Sequence, residues 1–191
     1  DLPLTFEPTT SEAAQLAALG LFALQHRGQE SAGVAVSDGE QLMVYKDLGL
    51  VGNVLDEHRL PSLRGRLAIA HCRYSTTGST VWENAQPTFR HGPDRTLALG
   101  HNGNLVNTRE LLAALPGGRE RLAATTDTEV LTALLADEAG TAKGGDLVAA
   151  LRALGGQVGD AMSRLLDRYG DAILTGHDVV ELHLIEMPDL I

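Results

Sequence analysis

Apolar residues recur along this chain in two rhythms. From Ser11 to Gln25, Ala and Leu fall at helix-compatible positions, with Ser11 as the expected N-cap. Gly33-Val34-Ala35-Val36 and Leu42-Met43-Val44-Tyr45 are short runs of strand type. Between them Ser37-Asp38-Gly39-Glu40 reads as a hairpin turn, which predicts antiparallel pairing. Leu67 to Ala70 and Thr96 to Leu99 read as two further buried strands. The Gly-, Thr- and Pro-containing stretch from Thr77 to Asp94 is expected to be a loop, and one of that length usually serves a function.

Downstream, Asn107 to Leu115 reads as a short helix stopped by Pro116-Gly117-Gly118. Thr126-Asp127-Thr128-Glu129 has capping-box spacing ahead of the apolar positions Val130, Leu131, Leu134 and Leu135. Gly140 to Gly145 is a linker candidate, with helical pieces expected at Asp146 to Leu154 and Asp160 to Tyr169. Ala172 to Leu174 and Val179 to Ile185 read as closing strands about Gly176-His177-Asp178. Strands, then helices, then strands predict an α+β fold with helices layered on antiparallel sheets. At 191 residues and 43% hydrophobic content, one domain covering 1–191 is expected.

Charge narrows the partners. Fifteen basic against twenty-five acidic residues give a formal charge of -10, which repels phosphate backbones and anionic membrane surfaces, so neither nucleic acid nor membrane is expected. A single cysteine leaves no internal disulfide framework and no cysteine-based metal cage. His177 and His183 flank a turn without the spacing of a ligand pair, so no metal and no cofactor are expected. No stretch reaches the roughly 18 apolar residues of a membrane span and no signal pattern opens the chain, which makes a cytoplasmic location the expectation.

Candidate chemistry sits in two polar runs at the ends of apolar stretches, where strands are expected to stop and sites are built. In His71-Cys72-Arg73-Tyr74-Ser75-Thr76, Arg73 offers a planar fork for a carboxylate, with the hydroxyls of Tyr74 and Thr76 beside it; a surface ion pair is the plainer reading. In His101-Asn102-Gly103-Asn104, the Asn102 amide and exposed backbone N–H groups at Gly103 could stabilise an oxyanion, with His101 adjoining; a hairpin turn is the plainer reading. Asp127 could hold an ammonium group, or serve only the helix dipole. Together, an arginine for a carboxylate, an aspartate for an amine and an oxyanion pocket describe an amino-acid site.

These residues also carry a resemblance. Leu24 through Gly33, His71 through Gly78, Trp82-Glu83-Asn84-Ala85-Gln86-Pro87, His101 through Leu105 and Thr126 through Glu129 resemble, in this order, the glutaminase domain of amidophosphoribosyltransferase, an N-terminal-nucleophile glutamine amidotransferase. The similarity is clearest over residues 18–135, with 140–191 diverged. It implies a four-layer αββα sandwich, from which the shorter terminal strand pair departs toward a trimmed or rearranged second sheet. It also implies that Arg73 binds the glutamine α-carboxylate and Asp127 the α-amino group. Asn102 and Gly103 would form the oxyanion hole, Thr77 to Gln86 would belong to a loop closing over glutamine, and Arg27 would lie near the nucleophile. Ammonia would pass to a partner enzyme or domain, and homologous domains assemble into homo-oligomers.

One departure bears on mechanism. The family's nucleophile is an N-terminal cysteine, and counting back without gaps from Gly20 places that position close to Asp1. A carboxylate is a poor nucleophile toward an unactivated amide. Cys72, beside Arg73 in a strand, is expected to face the opposite side and serve the core. Three readings follow: a glutamine amidotransferase or amidohydrolase domain whose nucleophile segment is missing from this sequence, a diverged homologue that uses the amino-acid pocket for different chemistry with Asp1 or its amino group as base, and a non-catalytic amino-acid-binding regulator.

Overall fold

Residues 12–75, 79–92, 95–141, 150, 153–154 and 181–188 are described by the structure, a computed structural model. The strand Ser31–Ser37 (β1) is buried at every position, which its small residues permit. It pairs antiparallel on one side with Leu42–Leu48 (β2) and on the other with Leu67–Arg73 (β3), giving the order β2-β1-β3. Alternation sorts its side chains: Ala32, Val34 and Val36 join one apolar cluster, and Ala35 another. The first cluster lies under the helix Ala13–Ala23 (α1), which buries Ala14, Ala18 and Leu21. A short helix, Val51–Val54 (α2), adds Val51 and Val54 to it.

The second sheet has the order β4-β5-β6, from Thr88–His91 (β4), Arg95–Asn102 (β5) and Glu181–Pro188 (β6), all antiparallel neighbours. Leu97 and Leu99 of β5 face the helices Thr108–Ala114 (α3) and Asp127–Thr141 (α4), which supply Leu111, Val130, Leu131, Leu134 and Leu135. Ala98 points the other way and meets Ala35 of β1, with Leu42, Val44 and Ile69 around them. Small residues at this inner face let the two sheets close on each other. The layers are therefore helix, sheet, sheet, helix, the αββα arrangement that the family resemblance implies.

Several local readings change. The first helix spans Ala13–Ala23 and passes into a 3-10 turn at Gln25–Arg27, while its expected cap, Ser11, lies outside the described residues. The two polar runs do not follow their strands: β3 continues through His71, Cys72 and Arg73, and β5 through His101 and Asn102, because β1 and β6 extend the ladders. The expected loop holds a 3-10 turn, Trp82–Asn84, and the strand β4. Thr126 caps α4, its Oγ1 accepting from the Glu129 N–H at 3.4 Å, but the Glu129 carboxylate turns to Arg90 at 3.3 Å instead of completing the box. Residues 150, 153 and 154 are helical, with Ala150 and Leu154 packed in the cluster of Leu97, Leu99 and the α3 and α4 side chains. The helix expected at Asp160 to Tyr169, the strand at Ala172 to Leu174, His177, and Val179 and Val180 of the last expected strand lie outside the described residues; that strand is described over Glu181–Pro188. No helix among the described residues is long and apolar enough to cross a membrane.

Candidate functional site

Where β3 and β5 end near the start of α4, a cavity of about 430 Å³ opens. Its wall includes Arg27, Arg73, Tyr74, His101, Asn102, Gly103 and Asp127, so seven of the residues singled out from the sequence share one space. The other two, Asp1 and Thr76, lie outside the described residues.

Arg73 closes β3 and is only 4% exposed, so the plainer reading of a surface ion pair does not apply. Its Nη1 lies 3.2 Å from Oε2 of Glu30, just before β1. The Glu30 carboxylate also accepts from the Ser75 hydroxyl at 2.6 Å and the Thr80 hydroxyl at 3.2 Å. The Ser75 hydrogen bond does most to hold the Glu30 carboxyl below its ordinary pKa, with smaller help from Thr80 and Arg73 against partial burial. The guanidinium is thereby fixed in orientation by a side chain far back in sequence.

Asp127 opens α4 and is buried. Its Oδ1 accepts from the N–H of Thr128 at 2.9 Å, which is a helix-start role. Its Oδ2 accepts from the N–H of Leu105 at 2.9 Å. The second bond ties the chain leaving Asn102 and Gly103 to α4, a task the dipole reading did not include. Each carboxylate oxygen keeps a lone pair beyond these bonds.

His101 lies beneath the bend. Its ring is enclosed, with Nδ1 3.3 Å from Thr128 Oγ1 and 4.0 Å from Asp127 Oδ1. Burial pushes the imidazole below its ordinary pKa, opposed by the Asp127 charge. Nε2 is turned to Gly103, where an added Cβ would meet it at 2.8 Å. Gly103 does not adopt a left-handed backbone. Glycine is required there by close approach and not by a positive φ. The hairpin alternative also fails, since β5 pairs with β4 and β6 and the chain beyond Gly103 proceeds to α3.

The sequence reading missed the residue that holds this bend. Gln86 Oε1 accepts from the His101 N–H at 2.8 Å, while Nε2 donates to the His101 carbonyl at 3.1 Å and to Thr128 Oγ1 at 3.2 Å. Its segment is anchored in turn. Lys46 Nζ donates to the Ala85 carbonyl at 2.6 Å, Trp82 Nε1 to the Lys46 carbonyl at 2.9 Å, and Asn84 Nδ2 to Ser79 and Thr125. A Cβ at Gly33 would lie 2.4 Å from the Gln86 carbonyl, so glycine in β1 lets this segment seat. The end of the expected closing loop is thus fixed in place. Gln86 and Glu30 both fall inside motifs legible in the sequence, but their partners stand 15 to 50 residues away and nothing local names them.

Cys72 also needs correction. Its side chain faces α1, as alternation predicts, with Sγ 3.6 Å from the Leu24 carbonyl. It is only half-buried and also lines the cavity. Burial pushes its thiol pKa up. Among the described residues no cluster of three or more His, Cys, Asp or Glu side chains is placed to hold a metal.

The arrangement offers a fixed guanidinium, a buried carboxylate and amide donors on a held bend, around one cavity. Comparison with known proteins gives the family. The sequence profile of glutamine amidotransferases class-II matches residues 51–185, more than half of the chain. The amidophosphoribosyltransferase of Mycobacterium leprae is 58% identical over 129 residues, 64% of this chain and 23% of the relative. That of Bacillus subtilis is 44% identical over 125 residues, 65% of this chain and 26% of the relative. The chain spans about a quarter of the length of these curated relatives. Among solved structures, the allosteric regulatory enzyme of purine biosynthesis superposes with a TM-score of 0.66 at 31% identity, over 94% of this chain and 34% of that one. Glutamine phosphoribosylpyrophosphate amidotransferase from B. subtilis, complexed with ADP and GMP, gives 0.64 at 31% identity, over 94% and 33%. These neighbours share the N-terminal-nucleophile type of α+β sandwich. The chain belongs to the class-II glutamine amidotransferases.

Proposed function

We propose that this chain binds glutamine, or an amino acid closely like it, for hydrolysis of the side-chain amide or transfer of its nitrogen. Arg73, its guanidinium oriented by Glu30, takes the α-carboxylate. Asp127 takes the α-ammonium, and Asn102 with the Gly103 N–H takes the amide oxygen. His101, Tyr74 and Arg27 complete the enclosure. The observation that carries this reading is the convergence of Arg73, Asp127 and the Asn102-Gly103 bend on one cavity.

The relatives named above are amidotransferases several times longer, so an ammonia acceptor, whether a further domain or a partner enzyme, is part of the proposal. Turnover by the family's thioester route needs a cysteine nucleophile at this cavity. Cys72 is not assigned that role, because its thiol faces α1 and burial pushes its pKa up. Binding therefore comes first in this proposal and turnover second.

Calorimetric titration with glutamine, beside an assay for glutamate and ammonia, tests it. Loss of one charge-assisted contact, ~1.5–3 kcal/mol, predicts affinity about tenfold to a hundredfold weaker in Arg73→Ala and in Asp127→Ala. Unchanged affinity in both would reject the site. Binding without glutamate release would select the regulatory reading over the catalytic one.

A further inference from the structure

The cavity has two ends of different chemistry. In β3, His71 and Arg73 alternate with Ala70 and Cys72, yet all four line the same space. Adjacent residues of a strand face opposite sides, so the cavity passes around the margin of β3 and touches both faces. On the side toward the second sheet lie Arg73, His101, Asn102, Gly103 and Asp127, the groups that the amino-acid reading uses. On the side toward α1 lie Leu21, Leu24, Ala70 and Cys72, with Arg27 of the following 3-10 turn near Cys72; the four uncharged side chains are ones that neither charged end of an amino acid nor an amide oxygen can use. At about 430 Å³ the volume falls in the range of roughly 300–1,000 Å³ that holds drug-sized molecules, larger than a free amino acid.

We infer that the ligand this cavity fits is a γ-glutamyl amide whose amide nitrogen carries an apolar substituent, the substituent lying against Leu21, Leu24, Ala70 and Cys72. The inference rests on the amino-acid reading above. With the α-carboxylate at Arg73, the α-ammonium at Asp127 and the carbonyl at the Asn102-Gly103 bend, the amide nitrogen is the remaining point of growth. The α1 side is the remaining wall. Burial of an aryl or alkyl group there adds affinity in proportion to the apolar area removed from water.

Cys72 supplies the test, since it is the chain's one cysteine and stands on the apolar wall. Affinities for glutamine, N-γ-ethylglutamine and γ-glutamylanilide are measured by calorimetry, and the rate of Cys72 alkylation by iodoacetamide is followed by intact mass with each ligand saturating. The anilide is expected to bind about tenfold tighter than glutamine, with the ethyl amide between them. It should also slow alkylation severalfold more than glutamine does. Leu24→Ser, at a half-exposed position, should bring the anilide-to-glutamine affinity ratio down toward one. If glutamine binds but the anilide binds no better and protects Cys72 no more, the apolar subsite is refuted and the amino-acid reading stands. If none of the three binds, both fall together.

Discussion

Gln86 grips His101 at both of its backbone polar groups, accepting from the N–H at 2.8 Å and donating to the carbonyl at 3.1 Å. A side-chain amide with one acceptor and two donors does here what a neighbouring strand does in a ladder. Its remaining donor reaches Thr128, which joins the end of β5 to the first turn of α4. Asn102 and Gly103 follow directly, so the bend is set by a residue that is not part of it.

Gln86→Glu keeps the shape and the acceptor but replaces both donated bonds with carboxylate facing the His101 carbonyl. Unsatisfied buried groups of this kind cost about 1–3 kcal/mol each. The expected outcome is a urea midpoint lowered by that order, with faster amide exchange at Asn102 and Gly103. Gln86→Asn, too short for both contacts, should behave similarly. Exchange at the bend equal to wild type would show that Gln86 does not position it.

Gly103→Ala places a methyl 2.8 Å from His101 Nε2. Overpacking in a filled site costs about 1–3 kcal/mol. Because the clash is with one ring, the penalty should shrink when His101→Ala is present as well. A double-mutant cycle with a coupling term near zero would place the obstruction elsewhere.

Glu30→Gln removes the charge beside Arg73 while conserving size. The Glu30 side chain is about one-quarter exposed, so the loss is discounted for solvent and expected at about 1–2 kcal/mol. Its depressed pKa makes the contribution one that is present above the unfolded carboxyl value and lost as pH falls through the folded one. The variant should therefore be less stable than wild type at pH 7, with the gap closing in acid, as read by urea melts across the range.

His101 has the same acid sensitivity for a different cause. Burial lowers its folded pKa below the ordinary 6.5, so the unfolded chain binds the proton first. Stability should fall as pH drops from about 6.5 toward the folded value, then level. In His101→Asn that part of the pH dependence should vanish, measured as the difference between wild-type and variant unfolding free energies at pH 7.5 and 5.5. An unchanged difference would assign the titration to other groups.

The sequence by itself determined the elements with a strong local signal. The small, apolar run around Val34 and Val36 read as a strand, and Thr126 before an apolar helix announced its start. The five polar motifs placed Arg73, Asp127 and the Asn102-Gly103 bend in one class of site, because residue type and order sufficed. Tertiary structure alone decided how far β3 and β5 run, since a ladder's length depends on the partner strand. It also decided that a segment read as loop contains β4 and is pinned at Gln86. The physical reason is range. Periodicity and caps act within a few residues, whereas Glu30 on Arg73 and Gln86 on Thr128 are contacts between groups more than 40 positions apart, which exist only after the sheets have closed.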